Sequence, residues 1–219
     1  MTREMVSLGQ KVSKKQQGRP AGPDAGNIRQ DILDSAEMLF ARKGYAATSL
    51  REIAEEVKVN SAMIHYYFGS KHALLQQVLE RALEPLAAAI ATMNSTDTAP
   101  IPEIAKLLLR TFSQHPSLPI LIVREVLLPG GVMQQHFIQY LAPRLGGSVP
   151  DLLAKEQSAG RMRTDLDPSI SALTLLSLCA FPFFARELAE PVLGISYDQA
   201  GLLKLEQHIT LLLSEGFSA

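Results

Sequence analysis

The stretch over residues 59–75, VNSAMIHYYFGSKHALL, brings several hydrogen-bonding side chains together in a short length of chain. His65, Tyr66 and Tyr67 are consecutive, and Lys71 follows closely after a glycine and a serine. Tyrosine hydroxyls donate to phosphate oxygens without demanding a particular base, and an ammonium group adds positive charge. These residue types predict a surface that binds a polyanion through hydrogen bonds and charge.

The elements that must position this stretch are short helices with polar caps. Ser49 followed by Glu52 predicts a capping box at the start of one helix, and Asn60 predicts the cap of the next. Only the residues KVN separate the two helices, so they must cross at a large angle. This spacing predicts a helix-turn-helix arrangement.

The second helix of this pair has one apolar edge and one polar edge. Ile64 and Phe68 lie one turn apart and are expected to point inward. The residues left facing outward, with the last near the edge, are Ser61, Ala62, His65, Tyr66 and Tyr67. Because the major groove of DNA admits only a short length of helix, two turns with small residues at the start suit close approach to base edges.

The flanking helices are predicted to bury the inner faces of this pair. Asn27 is expected to cap the first helix and Gly44 to end it, while Ser70 caps a longer helix. The predicted apolar stripes consist of Ile28, Ile32, Ala36, Leu39 and Phe40 in the first helix and Leu74, Leu75, Val78, Leu79, Ala82, Leu83 and Leu86 in the fourth.

The whole chain is predicted to be all-α, since no alternating strand pattern or internal repeat is visible in its 219 residues. Residues 1–26 are interpreted as a flexible basic arm, which either reaches the minor groove or is a solvated tail. The segment LDPSISALTLLSLCAFPFFARELAEPVLG is predicted to be one long buried helix, and QAGLLKLEQHITLLLSEGF the last helix.

Composition and charge limit which kinds of partner the protein could bind. The net charge is −1, but residues 1–71 hold eleven Lys and Arg against eight Asp and Glu, so a polyanion would bind this N-terminal part. A single cysteine, Cys179, rules out a disulfide within one chain and suits a reducing compartment. The most apolar run, residues 170–185, is shorter than the roughly 20 residues a membrane span needs, so no membrane partner is expected.

Residues 28–75 resemble, in order and without gaps, the DNA-binding head of the TetR family of bacterial regulators. The matching residues are Phe40, Gly44, Tyr45, Thr48, Ser49, Leu50, Arg51, Glu52, Ile53, Ala54, Tyr67, Phe68, Ser70, Lys71, Ala73, Leu74 and Leu75. The resemblance implies a cytoplasmic, dimeric repressor of double-stranded DNA at a palindromic operator. It divides the chain into a helix-turn-helix domain over 27–71 and a helical effector-binding and dimerisation domain over 72–219.

The resemblance also implies roles for individual residues. Phosphate contacts would come from Thr48, Tyr66, Tyr67 and Lys71, and base-edge contacts from Arg51, Ser61, Ala62 and His65. The order His65-Tyr66 departs from the family's usual aromatic-then-histidine order, so either residue is a candidate to reach bases. Lys58 stands where the family usually has glycine, which implies a left-handed backbone conformation there.

Candidates in the C-terminal domain rest on residue type and spacing. A pocket for an unknown, mainly apolar small-molecule effector could use Met93, Phe112, His115, Arg124, Met133, His136, Phe137 and Tyr140, although such residues are also ordinary core. The last two long helices carry more apolar residues than one buried face needs. A dimer interface is therefore predicted to include Leu175, Leu178, Phe181, Leu205, Ile209 and Leu212, with the core of a monomer as the alternative.

An enzyme and a helical adaptor are the two alternatives to a DNA-binding regulator. An enzyme is disfavoured because the sequence contains no nucleophile-elbow, phosphate-loop or zinc-protease motif, and Cys179 sits in an apolar helix. The five histidines never fall four residues apart, so neither a metal nor a cofactor is expected. A helical adaptor that keeps the helix-turn-helix without binding DNA remains the alternative.

Overall fold

Helices joined by short turns make up the computed structural model, which describes residues 25–96, 101–145 and 147–218. The helices are α1 Ala25–Lys43, α2 Leu50–Val57, α3 Ser61–Phe68, α4 Lys71–Thr96, α5 Ile101–Gln114, α6 Leu118–Ile122, α7 Gln134–His136, α8 Val149–Ser158, α9 Pro168–Phe184, α10 Arg186–Leu193 and α11 Gln199–Phe217. A π-helical turn, Val123–Leu127, continues α6, and the turns Phe137–Leu141 and Ala142–Arg144 continue α7. The described residues contain no strand, only an isolated bridge between Met162 and Ser218, and the all-α prediction is confirmed.

Local signals set the boundaries of α2 and α3. The Ser49 hydroxyl accepts the Glu52 N–H at 3.2 Å, and the Asn60 side chain accepts the Ala62 N–H at 2.8 Å. Lys58 ends α2 at φ 59° and ψ 40°, so the predicted left-handed conformation is confirmed. A side chain in this conformation costs roughly 1 kcal/mol relative to glycine, which the turn between α2 and α3 must offset.

The start of α1 differs from the prediction. The helix begins at Ala25, so Asn27 lies within its first turn instead of capping it. The rest of the predicted arm lies outside the described residues. Gly44 does end the helix, at φ 84°, and the Ser70 hydroxyl caps α4 by accepting the Ala73 N–H at 3.0 Å.

The N-terminal core forms where α1, α2, α3 and the first half of α4 meet. The predicted stripes of α1 and α4 are buried throughout, and Ile53, Ile64 and Phe68 close the core from α2 and α3. Because α4 runs on into the C-terminal domain, the proposed domain boundary at residues 71/72 falls at its N-terminus. Arg81 of α4 is bound to Asp34 at 2.6 Å and Glu37 at 2.9 Å, which fixes α1 against this shared helix.

The C-terminal domain packs α5 against α9 and α11, with α8 against the other side of α9. Its core includes Ile104, Leu108, Leu175 and Leu213, all at most 3% exposed. Cys179 is fully buried here, with its Sγ 3.8 Å from the Ala105 carbonyl oxygen. These contacts make the thiol part of the packing between α5 and α9.

The predicted long buried helix after Leu166 is wrong in two respects. It is two helices, and each of them has exposed apolar side chains, such as Phe181 at 66% and Val192 at 72%. The chain bends by 73° between α9 and α10, near Ala185. Pro182 lies in the last turn of α9, where it cannot donate a backbone hydrogen bond, and its carbonyl accepts the Tyr197 hydroxyl at 2.5 Å. The last helix has the predicted bounds, 199–217.

The helices α9 and α10 also bear on whether any segment could span a membrane. Within the part of the chain described, no single helix is long and apolar enough to cross a bilayer, although α9 and α10 taken together would pass by length and composition.

Candidate nucleic-acid interface

The helix α3 is held from its inner side and at both ends. Ile64 is fully buried and Phe68 is 5% exposed, and both insert into the N-terminal core. Asn60 caps the first turn, and the Gly69 N–H donates to the His65 carbonyl at 2.9 Å to end the last turn. The predicted inward edge is therefore confirmed, and α3 is a short rod fixed to the core by one edge.

The opposite edge of α3 faces away from the protein. Ala62, His65 and Tyr66 are exposed, Tyr66 to 84%, while Ser61 and Tyr67 are half-buried. The two tyrosine rings contact each other edge to face, with centroids 5.3 Å apart. The Tyr66 ring is thus supported by its neighbour while most of its surface stays accessible.

The imidazole of His65 has a defined hydrogen-bonding state. Its Nδ1 lies 3.0 Å from the Gly69 carbonyl oxygen, which can only accept, so Nδ1 carries a proton. In the neutral ring Nε2 is then an acceptor and is able to bind an amino group on a base edge. When the ring is protonated, Nε2 becomes a donor, which suits a phosphate or a base acceptor.

On α2, Arg51 lies in the first turn and is exposed. Its Nε donates to Glu55 Oε1 at 2.9 Å, and the side chains of the two residues are 86% and 66% exposed. The guanidinium can therefore reach a partner outside the protein.

Two predicted phosphate ligands are used within the protein. Thr48 is 1% exposed, and its hydroxyl donates to the Gly44 carbonyl at 2.8 Å and approaches that of Leu39 at 3.3 Å. The Lys71 ammonium donates to the carbonyls of Tyr45 and Thr48, each at 2.8 Å. The physical reason is that the carbonyls of the turn between α1 and α2 need donors.

The consequences differ for the two residues. The Thr48 side chain has no access to a phosphate in this conformation, which corrects the expectation for that residue. Lys71 is half-buried and has one further N–H beyond the two it donates, so its phosphate contact stays a prediction.

A connection that the sequence did not predict joins this head to the C-terminal domain. Arg124 donates to the carbonyls of Ala41 at 3.1 Å and Lys43 at 3.2 Å, at the end of α1. Its neighbour Glu125 accepts the backbone N–H of Tyr45 at 2.9 Å. Arg124 was expected in an effector pocket, and the structure places it against the head. A charged pair inside the apolar run LIVREVLL was the available signal.

The predicted pocket residues do not converge on one cavity. Phe112 and Met133 are buried in the core, while Met93 and Phe137 are half-buried against it. Tyr140 is 61% exposed.

The two histidines of this set are joined to the head and to α4. His115 Nδ1 lies 3.1 Å from Glu37 Oε2, and His136 Nε2 lies 3.2 Å from Glu80 Oε1. Both carboxylates belong to the helices that carry the head, so these histidines act in the structure as connections between elements.

Other residues line the clefts of the C-terminal domain. One cleft of about 280 Å³ lies between α5, α9 and α11 and is lined by Leu109, Arg110, Ser113, Phe183, Gln199, Leu202, Leu203, Leu205 and Glu206. Five of these nine residues are apolar, and the polar ones include Arg110 and Glu206, whose side chains are 3.8 Å apart. Another, of about 300 Å³, lies beside Phe217 and the Glu156–Arg161 ion pair.

The predicted dimer residues divide into two groups. Leu175 and Ile209 are buried and Leu205 is half-buried, so these belong to the core of the protomer. Phe181, Leu212 and Leu178 are 66%, 51% and 36% exposed. Further exposed apolar side chains on the same helices are Ile170, Leu173, Leu203 and Leu211.

Among the residues the structure describes, no group of His, Cys, Asp and Glu side chains has the geometry to hold a metal ion.

Comparison with known proteins shows which family the head resembles. The family model described as "Bacterial regulatory proteins, tetR family" matches residues 32–78. The transcriptional repressor NicS of Pseudomonas putida is 26% identical over 161 residues, which cover 72% of this chain and 76% of that protein. The repressor KstR2 of Mycolicibacterium smegmatis is 25% identical, over 64% of this chain and 69% of that one.

The fold is similar as well. The solved structure of the ketosteroid transcriptional regulator KstR2 of Mycobacterium tuberculosis has a TM-score of 0.65 and 18% identity, covering 87% of this chain and 95% of that one. Sequence and fold agree on a helix-turn-helix head followed by a larger helical domain. The chain therefore resembles the TetR family of bacterial DNA-binding transcriptional regulators, through a family match at its head and through similarity in sequence and fold over most of its length.

Proposed function

We propose that this regulator is a homodimeric repressor that binds a palindromic operator and is released from it by a small, largely apolar effector. The observation that carries the proposal is the geometry of α3. Its inner edge is fixed by two buried side chains, and its outer edge presents Tyr66 at 84% exposure beside His65. A rod of this length fits the major groove, and its outer edge has no packing role that would explain it. The site of action is then the bacterial cytoplasm, where the DNA lies.

The residue roles follow from where each side chain lies. Ser61, Ala62 and His65 occupy the edge that would face base edges, and Arg51 extends from the start of the neighbouring helix. Tyr66, Tyr67 and Lys71 supply hydroxyl and ammonium donors for phosphates. Base contacts would set the sequence preference and the phosphate contacts would set the register.

Dimerisation is supported by the exposed apolar faces of α9 and α11. Phe181 and Leu212 are more than half exposed, although each belongs to a helix whose other face forms the core. Pairing these two helices with the same helices of a second copy would remove this surface from water. A two-fold axis would then present two α3 helices to half-sites about 34–36 Å apart.

Release by an effector is supported by the contacts between the two domains. Arg124 and Glu125 join the C-terminal domain to the end of α1, and His115 joins it to Glu37 on the same helix. A ligand that changes the packing of α5 or α6 would move α1 and hence α3. The largely apolar linings of the clefts, and relatives whose names include a ketosteroid regulator, favour an apolar effector.

The proposal is tested with the full-length protein and DNA from upstream of its own gene. A band-shift titration at low salt should give a complex that contains two protein copies, with an affinity that falls steeply as salt rises. Absence of a specific complex, with the dimer intact by sedimentation, would overturn the proposal. Adding candidate apolar ligands to the complex should release the DNA, and a thousandfold release requires about 4 kcal/mol of preference for the released state.

A further inference from the structure

The two charges of the Arg51–Glu55 ion pair lie at the ends of α2 where each is unfavourable for the helix. Arg51 occupies the first turn of α2 and Glu55 the last. The helix dipole disfavours a cation at the first turn and an anion at the last. An acidic residue before a basic one, four residues apart, is the order that stabilises a helix, and here the order is reversed.

Because both side chains are largely exposed, the ion pair contributes little to the free energy of unfolding. The two side chains are 86% and 66% exposed, and ion pairs in water contribute little to stability. A carboxylate beside a DNA-facing arginine also repels phosphates. Both effects oppose a glutamate at this position, so its presence is better explained by what it does to Arg51.

The contact determines which edge of the guanidinium is free. Glu55 Oε1 receives the Nε–H of Arg51 at 2.9 Å, and this contact does not use the end of the guanidinium, where Nη1 and Nη2 each carry an outward N–H. Those two nitrogens form the fork that matches O6 and N7 of guanine. Holding the side chain at Nε reduces the rotamer freedom that binding would otherwise have to remove.

We propose that Glu55 is a positioning residue that orients Arg51 to read a guanine in each operator half-site. The inference rests on the proposed function, in which Arg51 faces a base edge. Glu55 contributes no base contact of its own, and it increases specificity at some cost in overall affinity.

The experiment uses the full-length dimer and an operator obtained by selection from random duplexes. The guanine that Arg51 reads is located by replacing each guanine in turn with 7-deazaguanine, which lacks the N7 acceptor. Discrimination is the ratio of affinities for the intact and the substituted operator. We expect Arg51→Ala to abolish discrimination at one guanine per half-site and Glu55→Ala to reduce it about twofold to fivefold there, the range that an exposed ion pair can supply.

Two further variants separate positioning from charge. Glu55→Gln keeps an acceptor for Nε and should retain most of the discrimination, although it removes the same charge as Glu55→Ala. Glu56→Ala removes a carboxylate from an exposed neighbour on α2 and should leave discrimination unchanged. All three should strengthen binding to non-specific DNA to a similar extent, because each removes one negative charge.

The outcomes are distinguishable. Failure of the wild-type dimer to select any operator would count against the proposed function as a whole. An operator bound with unchanged discrimination by Arg51→Ala would refute the assignment of Arg51, and the role of Glu55 with it. If Arg51→Ala loses discrimination while Glu55→Ala keeps it, or if Glu55→Gln and Glu56→Ala lose as much as Glu55→Ala, positioning by Glu55 is wrong.

Discussion

Glu125, in the C-terminal domain, accepts the backbone N–H of Tyr45 at 2.9 Å, across 80 residues of sequence. The carboxylate is 7% exposed, so this hydrogen bond is largely shielded from water. The adjacent Arg124 binds the last carbonyls of α1. Two neighbouring side chains thus satisfy acceptors at the end of α1 and a donor in the turn that follows it.

The local geometry on both sides of this connection is tight. A Cβ atom at Gly44, which has φ 84°, would lie 2.5 Å from Nη2 of Arg124. On the other side, a Cβ at Gly131 would lie 2.5 Å from the Glu125 carbonyl oxygen, which accepts the Met133 N–H. Arg124 and Glu125 lie in a π-helical turn, a local geometry that recurs at functional sites. Because Arg124 and Glu125 bind the end of α1 and the turn after it, a movement of this π-helical turn would displace the end of α1.

Replacing Arg124 with alanine should reduce the free energy of unfolding by about 1–2 kcal/mol, because the terminal carbonyls of α1 lose charged donors. Arg124→Lys should recover only part of this loss, because the guanidinium reaches three carbonyls from two nitrogens and a single ammonium nitrogen would reach fewer of them. Urea denaturation followed by circular dichroism measures both variants.

The control for Arg124 is Arg144→Ala. Nη2 of Arg144 donates to both carboxylate oxygens of Glu84, and both side chains are about half exposed, so its removal should cost under about 1 kcal/mol. Equal losses for Arg124→Ala and Arg144→Ala would mean that the hydrogen bonds from Arg124 to α1 stabilise the protein no more than an exposed ion pair does.

Replacing Tyr66 with phenylalanine should weaken DNA binding about threefold to tenfold, because one hydroxyl donor to a phosphate is lost while the ring stays. The loss should be nearly the same on specific and non-specific duplexes, since phosphates carry no sequence information. Fluorescence anisotropy with both duplexes measures this. Tyr140→Phe, a similarly exposed tyrosine outside the head, is the matched control and should bind like the wild type.

The parts of the fold that the sequence predicted correctly are those set by local signals. The caps Ser49 and Asn60 and the terminator Gly44 act within a few residues, so their effect can be predicted without tertiary context. The bounds of α11 were predicted from a continuous apolar repeat, and the structure adds the Asp198 cap. The inward edge of α3 was predictable because Ile64 and Phe68 are one turn apart.

The parts that the sequence did not predict depend on contacts between distant residues. Thr48 was expected to bind phosphate, but whether its hydroxyl faces outward depends on how the turn after α1 closes over it. Arg124 was predicted to line an effector pocket because a polar side chain in a mainly apolar domain could orient a ligand, but its partners lie more than 80 residues away. The bend at Ala185 was missed although the sequence changes there from the apolar α9 to the amphipathic RELAEPVL of α10, with Pro182 just before the change. Whether a proline ends a helix or only kinks it depends on the packing around it.

Replacing Phe181 with aspartate should dissociate the proposed dimer. The side chain is 66% exposed in the protomer, so a charge is tolerated there unless a second copy covers it. Burying an unpaired carboxylate in an apolar interface costs several kcal/mol. Sedimentation velocity should show a folded monomer that binds operator DNA far more weakly than the wild type.

The control for this change is Ile138→Asp, which is 60% exposed but lies outside α9 and α11. This variant should sediment as the wild type does. If Phe181→Asp also remains a dimer, α9 does not form the interface.

Cys179 should be inert towards thiol reagents in the native protein. The side chain is fully buried, and burial raises the pKa of its thiol to about 12. At pH 8 the group is far below that pKa, so the reactive thiolate is nearly absent, and the reagent also has no path to the sulfur. In the unfolded chain the pKa returns to about 8.5, where a substantial fraction is ionised. Mass spectrometry after incubation with iodoacetamide at pH 8 should show almost no labelling in buffer and full labelling in urea. Rapid labelling of the native protein, at a rate well above that of global unfolding, would mean that the packing of α5 on α9 opens locally.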